Sequence, residues 1–411
     1  MISVNEALKI VKENTFIPSI SEVPLLESLG LILAENIIAD RDFPPFDRVA
    51  MDGVAVQNQA PPAPRGGAGT LLSDSVAPLL GAGGAFVEST QYAGEPQKSL
   101  QNSQNCIEVM TGAVLPLGCD TVIRYEDVEI QEIDGVKYAK ITIPFSEIKV
   151  GQNIHPQGSD RKAGDVLLTK GLKISPPEIA VMASVGKNKV LVENPPRVAV
   201  ISTGDELVEI TVNPQPYQIR MSNSYMLAGA MAQIGIKANL FHLTDDKALI
   251  FSKLQEILLN HDVVLLSGGV SAGKKDFIPD ILTNLGIKKL FHKVAQKPGK
   301  PFWFGKSEEG KTVFALPGNP VSTFLCFCKY FLNQKEEQVI LDKAVFFKPN
   351  VAYFVPVKTY FQNGKMMATP FEGSGSADFA NLTDCDGFVE LPADNQEFKA
   401  GDVFGFVRFR G

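Results

Sequence analysis

The most constraining feature of this sequence is its central part, residues 197–333, in which short apolar runs alternate with amphipathic segments of helical period. Three runs, RVAVIS (197–202), DVVLLS (262–267) and KTVFAL (311–316), have few or no polar interruptions. Runs of this kind are typical of strands that are buried on both faces of a parallel sheet. This part of the chain therefore predicts a doubly wound α/β domain.

Residues of the types that cap helices stand between these runs and near the N-terminus. Three helices are expected in the central part, from Ser222 or Asn223 to about Gln233, from Asp245 or Asp246 to about Leu259, and from Asp276 to about Gly286. A further helix is expected to begin at the N-terminus, where Ser3 is the cap and Glu6 completes a capping box.

The flanking regions are different, because their apolar runs are short, alternating and separated by Gly, Pro and Asp. GLILAENIIAD, TVIRYEDVEI and YAKITIPFSEI precede the central part, and VFFKPNVAYFVPVKTYF, GFVELP and DVFGFVRF follow it. At roughly 100–200 residues per domain, 411 residues allow two to four domains. We expect an α/β plus β multidomain protein with β-rich modules and a compact antiparallel C-terminal unit, a small β-barrel.

One segment, residues 58–85 (NQAPPAPRGGAGTLLSDSVAPLLGAGGA), is dominated by Ala, Gly and Pro and has no usable period. This composition favours a mobile loop or linker, and a functional lid is the alternative.

Charge and cysteine content exclude several classes of protein. The net charge is −7 and no long basic run occurs, so nucleic acid and anionic membranes are not expected partners. No signal peptide or apolar stretch of membrane-spanning length is present. The five cysteines form no C-x-x-C pair, which indicates a reducing compartment and a cytoplasmic location. Cys326 and Cys328 stand in an apolar run and are expected in the core.

The stretch LLSGGVSAGKKD (265–276) nearly matches the phosphate loop G-x-x-x-x-G-K-[ST]. Lys275 stands where that motif needs the hydroxyl that holds magnesium, so a Walker-type nucleotide loop is not indicated. A plain glycine turn and a different phosphate or metal site remain as alternatives.

Three glycine-rich segments follow predicted strands, TGDE (203–206), GGVSAGKKD (268–276) and PGNP (317–320). In a doubly wound sheet, ligands bind at the carboxyl ends of the strands. Glycines let a backbone approach an anion, and Ser or Thr adds donors. Their joint occurrence predicts an anion site.

Acidic residues lie next to these glycines, namely Asp205, Glu206, Asp276, Asp245 and Asp246. One or two carboxylates together with substrate oxygens are the usual ligands of Mg²⁺. Helix capping is the alternative role for the aspartates, and it does not exclude metal binding.

Two lysines, Lys297 and Lys300, flank a Pro-Gly turn in QKPGKPFWFGK (296–306). Both ammonium groups could face one pocket as point charges for an oxyanion, or could simply be solvated. The histidines show no metal-ligand spacing, and no G-x-S-x-G sequence supports a serine nucleophile.

Taken in order, FDRVAMDG, MTGA, STGDEL, SGGVSAGKKD, KPGKP and LPGNP resemble the molybdopterin molybdenumtransferase family, the MoeA proteins and the E domain of gephyrin. The likeness runs on to EGSGSADFANL (372–382). It implies an enzyme that takes adenylylated molybdopterin and molybdate, releases AMP with Mg²⁺, and leaves molybdenum on the dithiolene sulfurs. It also implies a homodimer with the active site at the subunit interface, and the molybdopterin adenylyltransferase as a further partner.

The resemblance also assigns roles and boundaries. Catalytic positions fall on Asp52, Thr111, Asp160, Glu206, Lys297 and Lys300, and metal ligands on Asp205, Asp245 and Asp276. Substrate-binding positions fall on Thr203, Gly204, Ser267, Gly268, Gly269, Ser271, Gly273, Pro317, Gly318, Asn319, Pro320, and Ser374 or Ser376. The expected domains are 20–38 with 164–186, 39–163, 1–19 with 187–334, and 335–411.

Several positions depart from the family pattern: Val49, Val54, Met221, His155 and Gln157. The part of the site contributed by the β modules is therefore less well defined than the α/β part. Two rival functions stay open, a molybdopterin adenylyltransferase-like enzyme and a non-catalytic, gephyrin-like scaffold. The adenylyltransferases consist of little more than the α/β domain, whereas this chain has several hundred flanking residues.

Overall fold

The computed structural model describes residues 1–58, 84–269, 277–333, 337–371 and 375–410. The Ala/Gly/Pro-rich segment 58–85 lies almost wholly outside these ranges, as do Ser271, Gly273, Asp276 and Ser374. The chain divides into two compact units, Met1–Ser19 with Asn194–Gly411, and Ile20–Glu193. Within the described ranges, no helix has the length and apolar character needed to cross a membrane.

The first unit contains the predicted α/β domain, a six-stranded sheet with helices on both faces. The first four strands in sheet order are parallel, and the last two run antiparallel to their neighbours. The order is Ala238–Leu243, Val198–Thr203, Val263–Ser267, Thr312–Leu316, Trp303–Lys306, Lys288–His292.

The strand Val198–Thr203 shows why the uninterrupted apolar runs predict this sheet. Val198 and Val200 pack into one core cluster, and Ala199 and Ile201 pack into a second cluster on the other face. All four residues are buried, because alternate side chains of a strand point to opposite faces and helices cover both.

The helices of this unit begin close to the predicted caps. They are Val4–Glu13, Asn223–Gln233, Lys247–Asn260, Ile278–Asn284 and Pro320–Cys326, and a π-helix, Phe327–Leu332, continues the last. The Glu6 N–H donates to Ser3 Oγ at 3.2 Å, and the Leu249 N–H donates to the Asp246 carboxylate at 2.9 Å. Asp246 rather than Asp245 is therefore the cap of its helix.

The C-terminal part closes into a five-stranded barrel, because one strand, Ala352–Gln362, pairs with both Lys365–Pro370 and Gly387–Leu391. The remaining strands are Glu337–Leu341 and Val403–Arg408. All pairs in the barrel are antiparallel except Glu337–Leu341 with Lys365–Pro370, which is parallel. The predicted antiparallel unit is thus confirmed with one parallel exception. A short pair, Val345–Phe346 with Glu397–Phe398, lies beside it.

The second unit consists of the predicted small β modules. A six-stranded sheet has the order Thr121–Arg124, Gly53–Val56, Cys106–Val109, Ala85–Gln91, Val136–Ile141, Val128–Ile133. Two short pairs are Arg48–Val49 with Ile154–His155 and Ile37–Ile38 with Val166–Leu168. In a three-stranded sheet, Lys189–Glu193 lies between Ile20–Pro24 and Ile32–Leu33. The one α-helix of this unit in the described residues is Pro176–Ser184.

The boundary between the units follows strand pairing. Lys189–Glu193 forms five residue pairs with Ile20–Pro24, so residues up to 193 share a sheet with the second unit. The sequence-based division starts the α/β domain at 187 instead. The finer division into four domains stays a prediction.

Candidate functional site

Three parallel strands of the first unit end at one edge of the sheet. Ser202 pairs with Ser267, and Ser267 pairs with Leu316, so the segments TGDE, SGG and PGNP leave the sheet side by side. The Gly268 N–H donates to the Leu316 carbonyl at 3.2 Å and continues the strand pairing into the loop. The structure therefore brings together the described parts of the three glycine-rich loops that the sequence singles out.

Asn223 joins two of these loops, SGG and PGNP, although the sequence indicates it only as a possible helix cap. Its Nδ2 donates to Ser267 Oγ at 2.8 Å, to the Gly318 carbonyl at 2.8 Å, and more weakly to Thr323 Oγ1 at 3.3 Å. Its buried Oδ1 has no hydrogen-bond partner within the described ranges. The acceptor capacity of this amide oxygen is therefore unused within the described ranges.

Thr203 also carries a buried polar atom without a hydrogen-bond partner in the described residues. It is only 7% exposed, and its Oγ1 has no hydrogen-bond partner in the part of the chain that the structure describes. A Cβ at Gly268 would lie 3.0 Å from this hydroxyl, and one at Gly269 would lie 3.2 Å from it. Both glycines have positive φ, +101° and +71°, so side chains there would be strained as well as crowded. Glycine is required at both positions.

Two of the predicted metal ligands lie together. The Asp245 N–H donates to Asp205 Oδ1 at 3.0 Å, which places the turns after two neighbouring strands in direct contact. The described residues contain no cluster of three or more His, Cys, Asp or Glu side chains arranged to hold a metal. The Asp205 carboxylate, in contact with the turn that carries Asp245, nevertheless fits Mg²⁺, which commonly takes one or two protein carboxylates and completes its shell with substrate oxygens and water.

Glu206 packs back onto the loop that carries it. A Cβ at Gly204, where φ is +137°, would lie 2.4 Å and 2.6 Å from the two carboxylate oxygens of Glu206. The Gly204 carbonyl lies 3.0 Å from His242 Nε2, so this nitrogen carries the proton and donates. Gly204 is therefore needed for the approach of Glu206, and His242 supports the same turn.

The lysine pair reaches this edge through an antiparallel strand. Trp303 pairs with Ala315 in the neighbouring strand, so residues 297–302 lie near the carboxyl ends of the parallel strands. Lys297 and Lys300 are both exposed. Lys297 Nζ lies 5.5 Å from the ring centroid of Phe347, which is a cation–π contact.

The PGNP turn contacts the C-terminal part through Asn319, whose Nδ2 donates to Ser376 Oγ at 2.8 Å. The Val321 N–H donates to the Ser376 carbonyl at 3.0 Å. Thr323 Oγ1 donates to the Pro317 carbonyl, and Pro320 is the first residue of the helix. Of the two predicted C-terminal serines, Ser376 lies at this turn.

The second unit carries its own predicted positions. The Thr111 N–H and hydroxyl both donate to Asp52 Oδ1, at 2.6 Å and 2.8 Å. These two hydrogen bonds, the backbone one first, lower the pKa of Asp52. The carboxylate is therefore ionised well into the acid range, and the two residues form one polar pair 59 positions apart in sequence.

Asp160 lies at the end of a three-residue chain. Arg48 Nη2 lies 2.9 Å from His155 Nδ1, and His155 Nε2 lies 2.8 Å from Asp160 Oδ1. Because arginine can only donate, Nδ1 accepts and Nε2 carries the proton that it donates to Asp160. His155, a departure from the family pattern, thus holds a carboxylate that the resemblance marks as functional.

Glu108 is a buried carboxylate that no sequence motif indicates. Burial opposes its ionisation, but hydrogen bonds from Thr90, Tyr125 and Lys137 outweigh burial and lower its pKa. The Tyr125 N–H donates to the Asp52 carbonyl at 3.1 Å, so this network borders the Asp52–Thr111 pair. Only the spatial proximity of four separated residues identifies it.

Comparison with known proteins agrees with this geometry. Three family models match: MoeA N-terminal region (domain I and II) at residues 2–186, a probable molybdopterin binding domain at 199–334, and MoeA C-terminal region (domain IV) at 338–409. The chain is 40% identical to a molybdopterin molybdenumtransferase of Synechocystis over 99% of both chains. It is 32% identical to one of Staphylococcus epidermidis over 99% of this chain and 95% of the relative.

A solved structure is similar along the whole chain. It is that of a molybdopterin biosynthesis MoeA protein from Pyrococcus horikoshii, with a TM-score of 0.78 and 29% identity over 100% of both chains. Since the match is full length, it includes both β-rich parts as well as the α/β domain.

Proposed function

We propose that this chain, which belongs to the molybdopterin molybdenumtransferase family, transfers molybdenum from molybdate to adenylylated molybdopterin with release of AMP in molybdenum cofactor biosynthesis. The single observation that supports this most strongly is the gathering of three glycine-rich loops at one sheet edge, where Asn223 ties Ser267 to the PGNP turn. The proposal includes Mg²⁺, a homodimer with its active site at the subunit interface, contact with the molybdopterin adenylyltransferase, and a cytoplasmic location.

The substrate phosphates bind at the loops that carry Thr203, Gly268 and Gly318. The Gly268 N–H is taken by the Leu316 carbonyl, so the donors for phosphate oxygens in this proposal are the Thr203 hydroxyl, which has no partner within the described ranges, and other backbone N–H groups of these loops. Asn223 holds the loops in register, so the donors are in place before substrate arrives. Pre-organised donors of this kind stabilise the charge that develops during phosphoryl transfer.

Asp205 and Asp245 are the described residues that would hold Mg²⁺, which neutralises phosphate charge when it is bound. Asp245 is kept in place by its N–H bond to the Asp205 carboxylate, and His242 supports the turn that carries Asp205 through the Gly204 carbonyl. Lys297 and Lys300 supply two positive charges for molybdate, a tetrahedral dianion. Asp52, whose carboxylate Thr111 keeps ionised, is a proton acceptor in the proposed reaction.

The deciding experiment incubates the purified full-length protein with adenylylated molybdopterin, molybdate and Mg²⁺. AMP release, followed by activation of an apo-molybdoenzyme, is the expected result. Lys300→Ala is expected to raise the half-saturating molybdate concentration by about tenfold, the loss of one charge-assisted contact. Replacement of the partly exposed Lys306, on the strand that follows the turn, by Ala is the matched control and is expected to leave the molybdate dependence unchanged.

Two other results would replace the proposal. Consumption of ATP with release of pyrophosphate when molybdopterin is supplied would identify an adenylyltransferase. Binding of a receptor-tail peptide with no turnover of the adenylylated substrate would identify a scaffold. The full-length family match argues against the first, because the α/β domain is only one of the matched regions.

A further inference from the structure

The turn that carries Lys297 and Lys300 rests on a buried carboxamide, that of Gln296. Gln296 is 1% exposed, although glutamine is mostly found at protein surfaces. Its Nε2 donates to the Pro298 carbonyl at 3.0 Å and lies 3.5 Å from Cys326 Sγ. Its Oε1 accepts from the Tyr330 hydroxyl. Both ends of the amide are thus satisfied inside the core, and one end holds the turn itself.

Gly299, in the middle of the turn, packs directly on the same two groups. Its φ is +93°, and a Cβ there would lie 2.5 Å from Gln296 Nε2 and 2.7 Å from Cys326 Sγ. Cys326 is fully buried, and burial raises the pKa of its thiol, so it is a neutral packing group. The backbone between the two lysines therefore lies against the carboxamide with no space for a side chain.

The partners of Gln296 come from a segment that starts at the PGNP turn. The helix Pro320–Cys326 continues as the π-helix Phe327–Leu332, which carries Tyr330, itself 1% exposed. π-helical turns occur frequently at functional sites. One continuous helical segment thus links the PGNP turn to the floor of the lysine turn.

The other side of the turn is held by the C-terminal barrel. Gln296–Lys297 pairs with Ala352–Tyr353, and the Ala352 N–H donates to the Ala295 carbonyl at 3.0 Å. Lys297 lies over Phe347, whose ring stacks on Tyr353 with centroids 4.0 Å apart. Fixing the backbone on both sides restricts where the two ammonium groups can be.

We propose that Gln296 is a positioning residue for oxyanion binding: its carboxamide, held by Tyr330, sets the conformation of the Lys297–Lys300 turn. This inference rests on the proposed function, in which the two lysines bind molybdate. Replacing the amide by an apolar group leaves the Pro298 carbonyl and the Tyr330 hydroxyl without a buried partner. The turn then relaxes, and the lysines lose their common orientation.

The test uses the full-length protein and separates molybdate binding from the chemical step. Gln296→Met keeps the side-chain length and removes the amide, and Tyr330→Phe removes only the hydroxyl. Cys328→Ala is the matched control, because Cys328 is buried in the same helical segment and makes no hydrogen bond to the turn within the described ranges. Emission of Trp303, the only tryptophan in the sequence and fully buried, reports on the integrity of the α/β core.

We expect Gln296→Met to raise the half-saturating molybdate concentration by about tenfold and Tyr330→Phe by about threefold, with the maximal rate of AMP release within about twofold of the wild type. Cys328→Ala should leave both quantities unchanged. In a Lys300→Ala background, Gln296→Met should add little, because it acts through the lysines. Titration with adenylylated molybdopterin at saturating molybdate should show no comparable change.

Three outcomes would overturn the positioning role. One is an unchanged molybdate dependence in Gln296→Met and Tyr330→Phe while Lys300→Ala raises it. Another is a fall in maximal rate with no molybdate effect, which indicates a structural role alone. The third is a change in the requirement for the pterin substrate instead, which assigns the turn to its phosphate. If Lys300→Ala itself has no effect, the molybdate role of the lysines fails, which is a failure of the proposed function.

Discussion

Thr203→Val should make the protein more stable and bind its substrate less well. Thr203 is the last residue of a central strand, and its side chain is 93% buried, being 7% exposed. The hydroxyl has no partner within the described ranges, and Gly268 and Gly269 pack close to it. Valine has nearly the same shape and an equally strong preference for strands, so the substitution removes the oxygen without opening a cavity.

The expected sizes follow from the state of this oxygen. A buried polar group without a hydrogen bond costs about 1–3 kcal/mol, so its removal should raise the free energy of unfolding by about 1 kcal/mol or more. If the same hydroxyl donates to a substrate phosphate oxygen, its loss should weaken binding of adenylylated molybdopterin by about tenfold, or about 1.4 kcal/mol.

Urea unfolding and titration with adenylylated molybdopterin measure the two effects separately. Thr323→Val is the matched control, since Thr323 is also fully buried but donates to the Pro317 carbonyl. It should destabilise the protein by about 1 kcal/mol, the usual size of a lost hydrogen bond. A loss of stability in Thr203→Val with unchanged substrate affinity would refute the reasoning, because it would mean that the hydroxyl is already satisfied in the free protein.

Two further predictions concern charged groups. Thr111→Val removes the hydroxyl donor to Asp52 and therefore raises the pKa of that carboxyl. The acid limb of the pH–rate profile for AMP release should then move to higher pH, and an unmoved limb would contradict a role for ionised Asp52. Lys329→Met leaves the Glu390 carboxylate without the ammonium group that lies 2.6 Å from it, and should lower the free energy of unfolding in urea by about 3 kcal/mol. Adding Glu390→Leu should recover most of this loss.

The sequence predicts the α/β part of the fold well, because a strand that is buried on both faces appears in the sequence as an uninterrupted apolar run. RVAVIS and DVVLLS have few polar interruptions, and the strands they predict occur within one residue of the expected bounds. The position of the three loops follows from the rule that ligands bind at strand carboxyl ends. The antiparallel strand Trp303–Lys306 has no comparable pattern in the sequence, yet it brings the lysine turn to the carboxyl ends of the parallel strands.

Long-range polar pairs are the part that the sequence does not predict. Only the family resemblance marks Asp52 and Thr111 as functional, since nothing local to either residue indicates a partner 59 positions away. Gln296 and Tyr330, 34 positions apart, are ordinary residues in the sequence and become informative only when both are seen to be buried and bonded. Hydrogen bonds of this kind depend on the final packing, which no periodicity encodes.

The glycines of LLSGGVSAGKKD illustrate how a motif can suggest the wrong kind of site, here a Walker-type nucleotide loop. Gly268 and Gly269 are needed because Thr203 and Ile278 leave no space for a Cβ; one at Gly269 would lie only 2.6 Å from Ile278 Cγ1. Their presence is therefore explained by packing inside the fold, whether or not a phosphate binds. The feature that does discriminate is Asn223, whose amide joins this loop to the PGNP turn while its oxygen has no partner in the described residues. A nucleotide loop of the Walker type needs no such bridge, whereas a site assembled from three loops does.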